Sequence, residues 1–155
     1  MNSVLFVCSA NQCRSPIAEA LFKNIVLERD EENEWKIASA GVWAATGIPA
    51  TDNACAVMEE RGLDISAHLS QPTSQDLLGE YQLVLVMEKA HKETLQAHYS
   101  KFADRIVLFR NLVGDDRDFE DPVGGSLDRY RGAAEELEAV LEGEFEEIQR
   151  LSLGK

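Results

Sequence analysis

The segment Val4-Leu5-Phe6-Val7-Cys8-Ser9-Ala10-Asn11-Gln12-Cys13-Arg14-Ser15-Pro16 constrains the fold more than any other part of the chain. Its apolar run reads as a strand buried on both faces, the habit of parallel sheets. Ser15-Pro16 reads as a helix start, with serine at the N-cap and proline at the first helical position. A strand that passes into a helix through a short polar loop is half of a βαβ unit. The rest of the chain must then supply parallel partners for that strand.

It offers three. Strand one is expected over Ser3–Cys8, and its helix carries Ile17, Leu21 and Ile25 on one face beside Ala18 and Phe22. Trp35–Ala40, ending at Gly41, reads as a second strand, residues 43–49 as a loop, and the next stretch as a helix with Ala54, Val57 and Met58 that stops near Gly62. A short helix near Ser74–Gly79 precedes the clearest interior strand, Leu83–Met87. Lys89–His98 reads as a helix and Asp104–Phe109 as a fourth strand. One final helix starts near Ser126 and places Tyr130, Ala134, Leu137, Leu141, Phe145 and Ile148 at helical spacing. The expected fold class is α/β: a single domain over residues 1–155, with a doubly wound sheet of four parallel strands flanked by helices. Such sheets bind ligands at the carboxyl ends of their strands. Cys8 lies at one of those ends, and the loop that follows strand one is the expected phosphate-binding loop.

Composition excludes several classes. The chain has 155 residues, 45% hydrophobic and 28% charged, which suits one globular domain. Met1-Asn2-Ser3 leads straight into a strand, and no long apolar run appears, so neither a secretory leader nor a membrane span is expected. Three cysteines, an odd number, argue against a disulfide scaffold and for a reducing compartment, the cytoplasm. The net charge of -13 opposes nucleic-acid partners. Much of it comes from Glu135, Glu136, Glu138, Glu142, Glu144, Glu146 and Glu147, which read as a solvated helix face. A phosphorylated substrate would also be repelled at long range, so its attraction must be local.

That attraction has a source. The free N–H groups and the positive dipole end of a helix favour an anion and lower the pKa of a nearby thiol. Arg14, six residues after Cys8, adds a planar cation suited to bidentate contact with an oxyanion. A core thiol is the commoner use of a lone cysteine, but it gives no reason for an arginine and a polar turn directly above it. Phosphoryl transfer through cysteine needs a thiolate, donors for the equatorial oxygens and an acid for the leaving group. Cys8 supplies the first, and Arg14 with the backbone N–H groups of Ser9, Ala10, Asn11, Gln12, Cys13 and Ser15 the second. Asp121 is the candidate acid, because it sits in a loop, residues 110–125, long enough to suggest function; the ordinary use of Asp-Pro is a turn. Cys55 reads as helix packing, and His91 and His98 as exposed on a helix. Cys8 and Cys13 lack a second ligand pair at zinc spacing, so neither a metal nor another cofactor is expected.

Residues 3–26 closely resemble the amino terminus of the low-molecular-weight protein tyrosine phosphatases. Further matches follow in family order: Ser39-Ala40-Gly41, His68, Leu83–Met87 and Asp121-Pro122. Bacterial protein arginine phosphatases and one type of thiol-linked arsenate reductase share that fold. The run Asp121-Pro122-Val123-Gly124-Gly125-Ser126 looks more like the arginine phosphatase branch. The resemblance implies a protein phosphatase that works through a phosphocysteine on Cys8, with Arg14 holding the oxyanion and Asp121 as general acid and then base. It implies that the Ser15 hydroxyl stabilises the thiolate and that Asn11, Ser39 and His68 hold the loop. It further implies that Cys13 forms a reversible disulfide with Cys8, that Gln12, Trp43 and Val123 line the substrate pocket, and that phosphate and other oxyanions inhibit.

Two positions depart from the pattern. Gln12 stands where tyrosine phosphatases commonly have an aliphatic residue and arginine phosphatases a threonine, and Val123 stands where an aromatic usually stacks on the substrate ring. Phosphotyrosine is expected ahead of phosphoarginine. Arsenate reduction would need resolving cysteines near the third strand, and residues 83–98 have none. A non-catalytic phosphoprotein-binding module would tolerate the loss of Cys8 or Asp121, and both are present.

Overall fold

The protein, described over residues 1–153 in a computed structural model, alternates strand and helix as the sequence implies. The elements are β1 (Asn2–Cys8), α1 (Arg14–Glu28), β2 (Trp35–Gly41), α2 (Asp52–Glu60), α3 (Gln75–Gly79), β3 (Leu83–Val86), α4 (Lys89–His98), β4 (Ile106–Leu108), α5 (Leu127–Gly143) and α6 (Phe145–Leu151). The strands form one sheet in the order β2-β1-β3-β4, every pair parallel. The expected α/β class with four parallel strands is what the chain adopts.

Every residue of β1 is buried, because the strand lies inside the sheet and both its faces are covered. Its side chains alternate between two cores. Val4, Phe6 and Cys8 pack with Leu83 and Leu85 against α1, α2, α5 and α6. Leu5 and Val7 pack with Val84, Val86, Leu95 and Phe102 on the opposite face. The helix after β1 thus covers one face and the helix after β3 the other. Their connections diverge at the carboxyl edge, which opens a crevice directly above Cys8.

Three boundaries differ from expectation by more than one residue. Helix α1 begins at Arg14, not after a Ser15 cap, and Cys13 at its N-cap makes no side-chain capping bond. Pro16 therefore sits in the first turn, where its missing N–H costs nothing because no intrahelical acceptor exists there. The fourth strand is only Ile106–Leu108, with 3-10 turns over Ser100–Arg105 and Phe109–Val113 taking up the flanking residues. The last helix is broken at Glu144 (φ -108, ψ 21) into α5 and α6. The break directs Phe145 inward, where its ring stacks 5.6 Å from Phe22 and lies 5.6 Å from Trp35. Burying that aromatic compensates for the interrupted ladder.

Candidate active site

Cys8 ends β1, and residues 9–13 arch over it before α1 begins. The arch closes against β2. Trp43 N–H donates to the Ser9 carbonyl at 2.9 Å and Val42 N–H to the Cys8 carbonyl at 3.0 Å. A β-carbon on Gly41 would lie 2.7 Å from the Ser9 carbonyl oxygen and 2.8 Å from Asn11 N, so only glycine lets the loop approach β2 this closely.

Asn11 holds the arch in shape. Its φ of 57° lies in the left-handed region, which asparagine enters more readily than other residues with a side chain. Its side-chain amide donates to Ser15 Oγ at 2.8 Å and to Ser39 Oγ at 2.9 Å, while its Oδ1 accepts from Gln71 N–H at 3.0 Å. His68 Nε2 lies 2.8 Å from the Asn11 carbonyl. That oxygen can only accept, so the His68 proton is on Nε2. Ser39 Oγ in turn donates a hydrogen bond to Glu19 at 2.5 Å, and Lys23 pairs with the other oxygen of that carboxylate. The chain Lys23–Glu19–Ser39–Asn11–Ser15 ends at the sulfur: Ser15 Oγ is 3.0 Å from Cys8 Sγ. That oxygen accepts from Asn11, and its hydrogen has two acceptors in reach, the Ala40 carbonyl at 3.4 Å and the nearer sulfur; turned to the sulfur, it is a donor that stabilises a thiolate. Ser39, His68 and Asn11, which the family resemblance had grouped, thus converge on the loop. Glu19 is an addition.

Arg14 is 1% exposed, and its cost of burial is offset from elements far along the chain. Nη1 donates to the Phe119 carbonyl at 2.7 Å and lies 2.6 Å from Glu88 Oε2. Nη2 lies 3.5 Å from Asp121 Oδ2. Its buried Nε has no hydrogen-bond partner among the described residues, which leaves a donor for a bound oxyanion. Asp121 accepts the Val123 N–H on Oδ1 at 3.0 Å, an Asx turn that fixes the carboxylate over the arginine. The loop carrying it is pinned to the sheet by Phe119 N–H, which donates to the Met87 carbonyl at 2.8 Å.

Cys8, Ala10, Gln12, Cys13, Arg14, Thr51, Asp121 and Val123 line one cavity of about 120 Å³. Thr51, the N-cap of α2, has its N–H on the Gln12 carbonyl at 2.9 Å. Trp43 is not in this lining. The residue is 60% exposed, and its ring lies 5.7 Å from that of His91, which contacts Ser9 at the outer edge of the loop. Cys13 is buried, and its thiol is pushed up to about 12, first by burial and then by the charges of Asp121 and Cys8. His91 is not exposed on its helix as the pattern of α4 suggested. It is fully buried, with Nε2 2.8 Å from Ser9 Oγ.

Glu19, Glu88, Phe119, Thr51 and His91 escaped sequence reasoning. Only Glu88 carried a signal, since it stands two residues beyond a buried strand, at the carboxyl edge of the sheet.

The low-molecular-weight phosphotyrosine protein phosphatase family model matches residues 3–152. A protein-arginine-phosphatase of Bacillus subtilis is 37% identical over 89% of this chain and 91% of its own. The solved structure of a low-molecular-weight protein tyrosine phosphatase from T. tengcongensis is 38% identical, with a TM-score of 0.89 over 95% of this chain and 99% of its own. A YwlE arginine phosphatase in which serine replaces the active-site cysteine and is phosphorylated is 34% identical, with a TM-score of 0.87 over 96% and 99% of the two chains.

Proposed function

Since the chain belongs to the low-molecular-weight phosphotyrosine protein phosphatase family, we propose that it hydrolyses phosphotyrosine in proteins through a phosphocysteine on Cys8. The observation that carries the proposal is the convergence of three groups on one small cavity. These are the Cys8 sulfur with the Ser15 hydroxyl at 3.0 Å, the buried Arg14 guanidinium and the Asp121 carboxylate.

In the first step the Cys8 thiolate attacks phosphorus. Arg14 and the loop N–H groups take the charge of the equatorial oxygens, and Asp121 gives its proton to the leaving oxygen. In the second step Asp121, now a carboxylate, takes a proton from water as the water oxygen attacks the phosphocysteine. Phosphate leaves and the thiolate returns. The Ser15 hydroxyl serves the sulfur twice, as it stabilises the free thiolate and then the departing one.

One feature supports an aryl substrate: exposed Trp43, hydrogen-bonded to Ser9 at the outer edge of the loop, where a substrate ring leaving the cavity could meet it. A second reading, phosphoarginine, is favoured by the cavity lining, which contains no aromatic ring and, besides Arg14, the polar side chains of Gln12, Thr51 and Asp121. Side-by-side turnover of matched phosphotyrosine and phosphoarginine peptides tests the choice. Faster turnover of phosphotyrosine is expected. Phosphoarginine turnover ahead by orders of magnitude would reassign the substrate and leave the phosphocysteine chemistry in place.

A further inference from the structure

Resting on that phosphatase reading, we propose that His91 is a positioning residue that joins the anion-binding loop to the carboxylate orienting Arg14. Its ring is completely buried. Nδ1 accepts the Glu88 backbone N–H at 3.1 Å, so that nitrogen carries no proton. The proton is on Nε2, which donates to Ser9 Oγ at 2.8 Å. Ser9 is the residue directly after the nucleophile, where the arch leaves the strand.

The other end of the link is Glu88. As N-cap of α4 its carboxylate accepts the His91 backbone N–H in a reciprocal capping pair, and the same carboxylate lies 2.6 Å from Arg14 Nη1. One neutral imidazole therefore sets both the start of the loop that surrounds the sulfur and the residue that aims the guanidinium. The neutral form is required, since protonation of Nδ1 would set two N–H groups against each other at Glu88. The charged groups facing the ring are the carboxylates of Glu88, Asp118 and Asp121 and the guanidinium of Arg14. Burial outweighs the carboxylates and pushes the imidazolium pKa down to about 4. The ring reaches neither the sulfur nor the cavity lining, so its effect on the reaction passes through Ser9 and Arg14.

His91→Phe keeps a planar ring and removes both bonds, His91→Gln keeps a donor at the reach of Nε2, and His91→Asn keeps only a short acceptor near Nδ1. The readouts are kcat and KM on para-nitrophenyl phosphate and the affinity for inorganic phosphate by calorimetry. His91→Phe is expected to weaken phosphate binding about tenfold, the worth of a buried hydrogen bond that orients a charge. It should also lower kcat, and His91→Gln should recover more of both than His91→Asn. A folded His91→Phe with the phosphate affinity and kcat of the unmodified protein would overturn the proposal while leaving the phosphatase reading intact. If His91→Phe does not fold, the other two variants decide, and a His91→Gln no better than His91→Asn rejects the link to Ser9. An unmodified protein that binds phosphate without turning over the ester would refute the phosphatase reading, and the calorimetric comparison would still judge His91.

Discussion

At the scale of single residues, the sulfur of Cys8 is served by short bonds whose donors are themselves fixed. Cys8→Ser is expected to abolish turnover and preserve the fold, because serine keeps the bond to Ser15 without the thiolate's nucleophilicity. Residual turnover at a sizeable fraction of the original rate would assign the nucleophile elsewhere. Asp121→Asn should cost about 10²–10⁴-fold on aryl phosphates with poor leaving groups and far less on activated ones. Equal losses across a leaving-group series would deny Asp121 the proton transfer. Asn11→Ala should destabilise the fold by about 2–4 kcal/mol, the sum of a left-handed backbone position and buried partners left unpaired; the midpoint of denaturant unfolding measures it. Cys13 bears on redox behaviour. A disulfide forms when its thiolate displaces hydroxide from an oxidised Cys8, and the thiol pushed up to about 12 is almost wholly protonated at neutral pH. Crosslinking after peroxide should therefore accelerate as pH rises from 7 toward 10, as read by mass spectrometry, and a rate independent of pH would remove Cys13 as the attacking group.

At the scale of elements, the strand, loop and helix that carry Cys8 and Arg14 were legible because one continuous segment encodes them. Hydrophobic runs and punctuation marked β1, α1 and β3, and the resemblance pointed to Asn11, Ser39, His68 and Asp121. Sequence reasoning missed the residues whose roles come from packing between distant elements. Glu19 matters because α1 lies beside β2, and Glu88 and His91 because β3 neighbours β1. Nothing local distinguishes Glu19 and His91 from other glutamates and histidines on helices, and Glu88 is set apart only by its place between β3 and α4. Ser15 was misread for a related reason: as a hydroxyl before proline it is a good cap, but its oxygen already accepts from the Asn11 amide and the helix starts two residues earlier. The break at Glu144 was hidden because Phe145 and Ile148 continue the spacing of α5 while facing the core through a separate turn. Within α5, Gly132 is exposed and a β-carbon there would meet nothing within 4 Å. Gly132→Ala should stabilise the protein by about 1 kcal/mol. An unchanged or lower unfolding midpoint would contradict the helical placement of that residue.

At the scale of the whole molecule, two global properties follow from the charges. His91 is neutral and buried with its pKa held at about 4, whereas the unfolded chain binds that proton near the ordinary 6.5. Between those values the unfolded state holds more protons, so His91 lowers stability as pH falls from about 6.5 to 4 and has no effect above that window. In His91→Phe that part of the acid slope should vanish. The net charge of -13 repels an acidic phosphopeptide, so added salt should raise kcat/KM on such peptides by screening. All of this assumes that the phosphoryl group passes through Cys8, and one measurement tests that directly: acid quench of the enzyme during turnover of a phosphopeptide, with mass spectrometry of the proteolytic fragment that contains Cys8. A phosphoryl group on the Cys8 sulfur, formed at the rate of product release and absent in Cys8→Ser, is the predicted result. An unmodified Cys8 fragment from an enzyme in full turnover, at a time resolution that would capture the intermediate, would contradict the account.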